Sequence, residues 1–247
     1  MTPSDVGSFF DRLTSDYTAV IERAFPRYRD MLRALLDYLS VHLPVAEVPE
    51  AAGEGHTSLN GILELGCGTG NLSVLLEQQY PNARLTLVDI SAESLAVCRE
   101  RLENSDRHQF VVADFRELSF AESSFAAVTS SIAIHHLPSP DKQGLFQRVA
   151  RWLEPGGTLI FADQFRAVSE LVYARHVELW KAASLEAGSN EAEFAMWMEH
   201  QRDHDHHDSL AQHAQWIEAA GLTEFDCVWR CLLWSVVMAR RPLQVQP

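Results

Sequence analysis

The chain has 247 residues, 47% of them hydrophobic and 22% charged, a globular composition that excludes a disordered chain and is long enough to bury its own core. Its 34 acidic against 20 basic residues give a formal net charge of −14, which repels phosphate backbones and argues against general nucleic-acid binding. The longest apolar stretch, Cys231 to Ala239, is far short of a membrane span; with no secretory leader visible and four cysteines lacking CxxC spacing, a reduced, cytoplasmic protein is expected.

Residues 8–43 place Tyr28, Met31, Leu32, Leu35, Leu36, Leu39 and Leu43 at helical spacing, with Pro26 suited to a first helical turn. The Pro- and Gly-containing stretch 44–60 reads as a linker. Residues 1–59 are therefore expected to form a helical cap and linker. Strands and helices then alternate. ILEL (62–65), RLTLVD (84–89), FVVAD (110–114), FAAVTSSIAI (125–134) and TLIFAD (158–163) are the strand candidates. Ser91 is placed to cap the second helix of this series, and Pro138 and Pro140 to open the third. Residues 167–207 read as mostly helical, and a last helix begins near Asp208 as N-cap and stops at Gly221. Two strand-like runs close the chain as an antiparallel pair. Repeated βα units with apolar strands imply a parallel sheet covered on both faces, spanning 60–241 with a helical insertion at about 167–207.

The most specific signal is ELGCGTG, Glu64 to Gly70, between a buried strand and a helix. Glycines there let the backbone turn tightly and approach a ligand, with helix N–H groups nearby. The spacing is G-x-G-x-G rather than the G-x-G-x-x-G of dinucleotide folds. Asp89 closes the second strand, where an acid can accept hydrogen bonds from both ribose hydroxyls, and Asp114 ends the third.

ELGCGTG, LVDIS, VVADF and LEPGGTLIFAD, in this order, resemble the class I S-adenosylmethionine-dependent methyltransferases. The resemblance covers residues 60–165. It implies a Rossmann-like, doubly wound seven-stranded α/β sheet with an antiparallel last strand, here with a helical lid. It also implies S-adenosylmethionine as cofactor. Gly66, Cys67, Gly68 and Gly70 would pass its methionine part, and Glu64 would position its amino end. Asp89 would hold the ribose and Ile90 would pack on the adenine, which Asp114 and Phe115 would also meet. Ser131 and Ile132 would supply backbone contacts near the sulfonium.

On the substrate side, His135 and His136 follow the fourth strand. Each reads as base or substrate anchor, or as a histidine that satisfies local backbone groups. Tyr17, Arg27 and Tyr28 in front, and Tyr173 and His176 after the fifth strand, are candidates for a lid, or for ordinary surface packing. The segment Glu199 to Leu210 is rich in His and Asp; His200 and His204 are spaced i,i+4, but Gln201 replaces the glutamate of HExxH. A solvated turn capped by Asp208 is the expectation, with no metal.

The two ends of the chain resemble the carboxy-S-adenosylmethionine synthase branch, whose carboxylate-binding arginine aligns near Met198, with Arg202 as nearest substitute. The leading expectation is a methyltransferase of a small molecule, acting without nucleic acid or membrane, with a homodimer as a further possibility. The alternatives are a non-methylating consumer of the cofactor, either that synthase chemistry or cyclisation to azetidine-2-carboxylate with Tyr173 near the sulfonium, and a protein that holds the cofactor without turnover.

Overall fold

Apolar residues in strict alternation build a sheet buried on both sides. In β1 (Gly61–Leu65), Ile62 joins one core while Leu63 and Leu65 join the other. In β2 (Leu85–Asp89), Leu85 and Leu87 oppose Val88, and late in β5 (Leu153–Gln164) Ile160 and Ala162 oppose Leu159 and Phe161. Period-two burial on both faces is the signature of a parallel sheet covered by helices. This computed structural model describes residues 17–43 and 61–243; the expectations for 8–16 and for the 44–60 linker lie outside them.

With β3 (Gln109–Val112), β4 (Phe125–Ser131), β6 (Thr223–Cys231) and β7 (Trp234–Arg240), the strands run in the order β3-β2-β1-β4-β5-β7-β6. The first five are parallel, and β7 is antiparallel to both β5 and β6. Chain order reverses between β1 and β4. A crevice opens at such a switch point, beyond the carboxyl ends of the strands.

Helices α1 (Tyr17–Ala24) and α2 (Tyr28–His42) precede the sheet. They are separate because Arg27 adopts a left-handed φ of 60° between them, which leaves Pro26 in the break rather than in the first turn. Met31, Leu35 and Leu39 of α2 are fully buried against β5, β6 and β7. So α2 is a layer of the core and not a lid. Helices α3 (Asn71–Gln79) and α4 (Ala92–Arg101) share that side, while α5 (Ser139–Trp152) and α8 (Leu210–Ala219) cover the other. Ser91 caps α4 as expected, accepting from the Ser94 N–H.

Helices α6 (Glu170–Glu186) and α7 (Glu191–His204) make up the insertion. They are fastened to α1: Trp180 Nε1 donates to the Ala24 carbonyl at 2.6 Å, and Arg23 clasps Glu193 at 2.8 Å. Among the described residues, no helix is long and apolar enough to cross a membrane.

Three local expectations are corrected. The fourth strand stops at Ser131, because Ile132 turns left-handed (φ 54°) and a short 3-10 turn, Ile134–His136, follows. The third stops at Val112, leaving Asp114 in the loop beyond it. The cap of α8 is Ser209, in a reciprocal box with Gln212; Asp208 instead accepts from the fully buried Lys142 at 2.7 Å and from Ser139.

Candidate functional site

The glycine loop starts where β1 ends. Gly66 takes φ +71°, and a Cβ there would stand 2.3 Å from the Ala133 Cβ and 3.2 Å from the Phe115 ring. Gly70, at φ +86°, begins α3 with Cys98 so close that a Cβ would meet its sulfur at 2.8 Å. Only glycine fits either position. The loop is clamped from outside, since Arg101 donates to the Thr69 carbonyl at 2.6 Å and to Asn71 Oδ1 at 2.9 Å.

Asp89 reaches back under this loop. One of its oxygens accepts the Gly68 N–H at 2.8 Å and the other the Ser91 N–H at 2.9 Å. The Ile90 N–H is a third backbone donor to this carboxylate. Burial pushes the pKa of Asp89 up despite these donors. Glu64 is 1% exposed and accepts from Ser73 Oγ at 2.6 Å; burial holds its pKa well above the usual carboxylate range. Beyond β3, Arg116 grips Asp114 with a 2.5 Å contact and keeps its pKa low.

One cavity joins these parts. Glu64, Gly66, Cys67, Gly68, Asp89 and Ile90 line it from the first two strands, and Asp114, Phe115, Ser131 and Ile132 from the next two. Gly70 is not on its wall; it serves the turn. His136, Tyr28 and residues Asp203, His204 and His206 close the far side. Tyr28 is buried, which pushes its pKa up to about 12, and its hydroxyl accepts from Asn71 Nδ2 at 3.3 Å.

Other sequence candidates fall elsewhere. His135 is 3% exposed and off the cavity wall, bound through Nδ1 to Asp163 at 2.5 Å. Tyr173 lies with its ring under Arg166 and its hydroxyl 2.5 Å from Gln201, also off the wall. His176 does not line the cavity, and Arg27 and Arg202 are exposed, paired with Asp30 and Asp203. Tyr17 is the first residue of α1, and its side chain lies outside the described part.

The His/Asp patch is not a solvated turn. His200 is 6% exposed, and the side chains of Asp205 and His207 are 2% and 5% exposed. The return of the chain from α7 presses them onto the end of β5, so their polarity is spent on one another. His136 Nδ1 stands 3.1 Å from Asp205 Oδ1, and three further imidazoles approach the same carboxylate. Asp163, Asp205, Lys142 and Asn71 were not read from sequence. Asp163 had a signal, as one more acid at a strand end; Asn71 had none.

Residues 62–157 match the methyltransferase domain family. The demethylmenaquinone methyltransferase of Clavibacter sepedonicus is 33% identical over 161 residues, 65% of this chain and 58% of that protein. The chain thus spans little more than half the length of that relative. The carboxy-S-adenosyl-L-methionine synthase of Shewanella baltica is 23% identical over 240 residues, covering 94% of this chain and 91% of that one. A chain from the complex between the Haloferax volcanii Trm112 methyltransferase activator and a putative methyltransferase superposes with a TM-score of 0.64 at 20% identity over 94% and 97% of the two chains. That last likeness speaks to the fold alone. Sheet order, motif order and sequence matches agree: residues 62–157 match a methyltransferase domain, and the chain is similar in fold and motif order to the class I S-adenosylmethionine-dependent methyltransferases.

Proposed function

We propose that the protein transfers a methyl group from S-adenosylmethionine to a small-molecule acceptor held beneath α2 and the end of α7. The observation that carries this reading is the continuity of a single cavity, from Asp89 and Asp114 past the glycine loop to His136 and Tyr28. A cofactor and an acceptor would meet end to end there.

The residues present fit the cofactor. Gly68 has nothing within 4 Å of where a Cβ would be, so its backbone is open to a ligand. Asp89 brings a carboxylate to the cavity wall, an acceptor of the kind a ribose diol requires. Glu64 is a buried carboxyl whose charged form an arriving ammonium group would favour. Ile90 and Phe115 supply apolar walls for an adenine.

When bound, S-adenosylmethionine supplies a methyl group on a cationic sulfur, taken by in-line displacement. The work left to the protein is alignment and proton handling. Ser131 and Ile132 bring backbone to the carboxyl end of β4, at the switch point. His136 is the candidate base for an O–H or N–H acceptor, because it lines the cavity with its Nδ1 3.1 Å from the Asp205 carboxylate. An acceptor with no proton to lose would need alignment only.

The non-methylating alternatives lose the residues named for them. Arg202 is engaged by Asp203 and Glu199, and Tyr173 is engaged by Gln201 and Arg166, all off the cavity wall. The test is the fate of the cofactor. Incubation with S-adenosylmethionine and a pool of small O–H and N–H metabolites, read by mass spectrometry, is expected to give S-adenosylhomocysteine with an acceptor gaining one methyl group. Rapid release of methylthioadenosine without any acceptor would overturn the reading.

A further inference from the structure

We propose that His135, Asp205 and His207 form a binding site for one first-row transition-metal dication, beside His136 of the cofactor-cavity wall and separate from the cofactor residues. This revises the sequence-level expectation of no metal.

The first argument is the spacing of the donor atoms. Asp205 Oδ1 lies 3.5 Å from His135 Nε2, and Asp205 Oδ2 lies 3.4 Å from His207 Nε2. The three ligand atoms fall within 4.8 Å of one another. These separations are long for hydrogen bonds. They match the edges of a coordination polyhedron: donors about 2.1 Å from a shared ion stand about 3.4 Å apart when tetrahedral and about 3.0 Å when at right angles.

The second argument is what stands behind each imidazole. His135 has its Nδ1 fixed by Asp163 at 2.5 Å, and Asp163 is itself held by the backbone N–H groups of His135 and Gln164. That is a carboxylate–histidine arrangement, which fixes the tautomer and aims the Nε2 lone pair away from the carboxylate, at Asp205. His207 Nδ1 lies 3.0 Å from the Gln201 amide. With its oxygen turned to that nitrogen, the amide accepts the Nδ1 proton and leaves Nε2 to the ion.

A third observation is a small void beside the cluster. A cavity of about 10 Å³, the size of one water, adjoins the cluster and is lined by His135, Gln164, Gln201 and Asp205. The Oε1 atom of Gln164 is buried there without a hydrogen-bond partner. A fourth, exchangeable ligand such as a water would satisfy it. Charge points the same way. Asp163 and Asp205 are buried carboxylates, whereas the ammonium of Lys142 is committed to Asp208 and the His206 carbonyl. Two imidazole nitrogens and one carboxylate select zinc, iron, cobalt or manganese over magnesium and calcium, which prefer all-oxygen shells.

Such an ion would tie the turn after α7 to the end of the β4 segment. His136, next in the chain to His135, would then be set in the cavity wall. Asp163 is a positioning residue in this scheme.

The test uses tag-free protein stripped with a chelator and titrated with cobalt(II) or zinc salts alone, so its outcome does not depend on methyl transfer. Expected are one ion per chain by elemental analysis and cobalt ligand-field absorption of low-symmetry nitrogen–oxygen coordination. Asp205→Asn should abolish both. Asp163→Asn should weaken cobalt affinity roughly 10–100-fold while leaving the stoichiometry unchanged. His204→Ala, which removes the ring packed 4.9 Å from His200 and is not one of the proposed ligands, should change neither. If Asp205→Asn does not fold, His207→Gln with the wild-type titration decides the matter. Absence of stoichiometric binding in the wild-type protein, binding that survives both Asp205→Asn and His207→Gln, or binding lost in His204→Ala would each overturn the site.

Discussion

Asp89 shows how much one side chain can be asked to do. Its two oxygens already anchor the glycine loop and the start of α4, through the N–H groups of Gly68 and Ser91. Asp89→Ala therefore removes an anchor of the loop as well as the acceptor proposed for the ribose. Hydrogen bonds to charged groups are worth about 1.5–3 kcal/mol, so titration calorimetry should show S-adenosylhomocysteine affinity reduced by one to two decades. Unchanged affinity would remove Asp89 from the site. Glu64 carries the opposite tension. Burial raises its pKa in the folded chain above its unfolded value, so its ionisation destabilises the ligand-free fold as pH rises from the ordinary carboxylate range through the raised value. Glu64→Gln should accordingly melt higher than wild type at neutral pH without ligand, and bind S-adenosylhomocysteine more weakly. Thermal scans against pH, with and without the ligand, check both halves.

Secondary elements were legible where burial alone dictates them. β1, β2 and β5 announce themselves because both of their faces are apolar, and the glycine loop because no other residue fits its φ angles beside Ala133 and Cys98. What sequence reading missed was decided by contacts distant in the chain. Asp208 is a good capping residue by type, yet the buried Lys142 needs it and Ser209 takes the cap. The run from His200 to Asp208 looks made for water, yet His200, Asp205 and His207 become interior because α7 turns back onto the sheet. Tyr173 is near the right strand, but Gln201 and Arg166 hold it away from the cavity. The insertion is likewise held by remote partners. Trp180 stacks on Phe25 and meets Phe194 and Trp234 edge-on, while donating to Ala24. Trp180→Ala should cost about 3–5 kcal/mol, seen as a lower urea midpoint. A loss below about 1 kcal/mol would mean that α6 is not seated as described.

At the scale of the whole molecule, the burial of α2 separates what is recognisable from what can fold. The family match spans residues 62–157, and the glycine loop, Asp89 and Asp114 all lie within it. Yet the flank of the sheet formed by β5, β7 and β6 is covered on one side by a helix that comes before the first strand. A fragment beginning at residue 61 would keep every cofactor residue named here and still expose the apolar surface that Met31, Leu35 and Leu39 now cover. Such a patch promotes self-association. That fragment is expected to aggregate or to bind a hydrophobic dye strongly, whereas a cooperative, monomeric melt would show that α2 is dispensable. The smallest autonomous unit of this protein is thus wider than its signature. Truncations, chimaeras and domain transfers drawn at the motif boundaries would cut through the hydrophobic core.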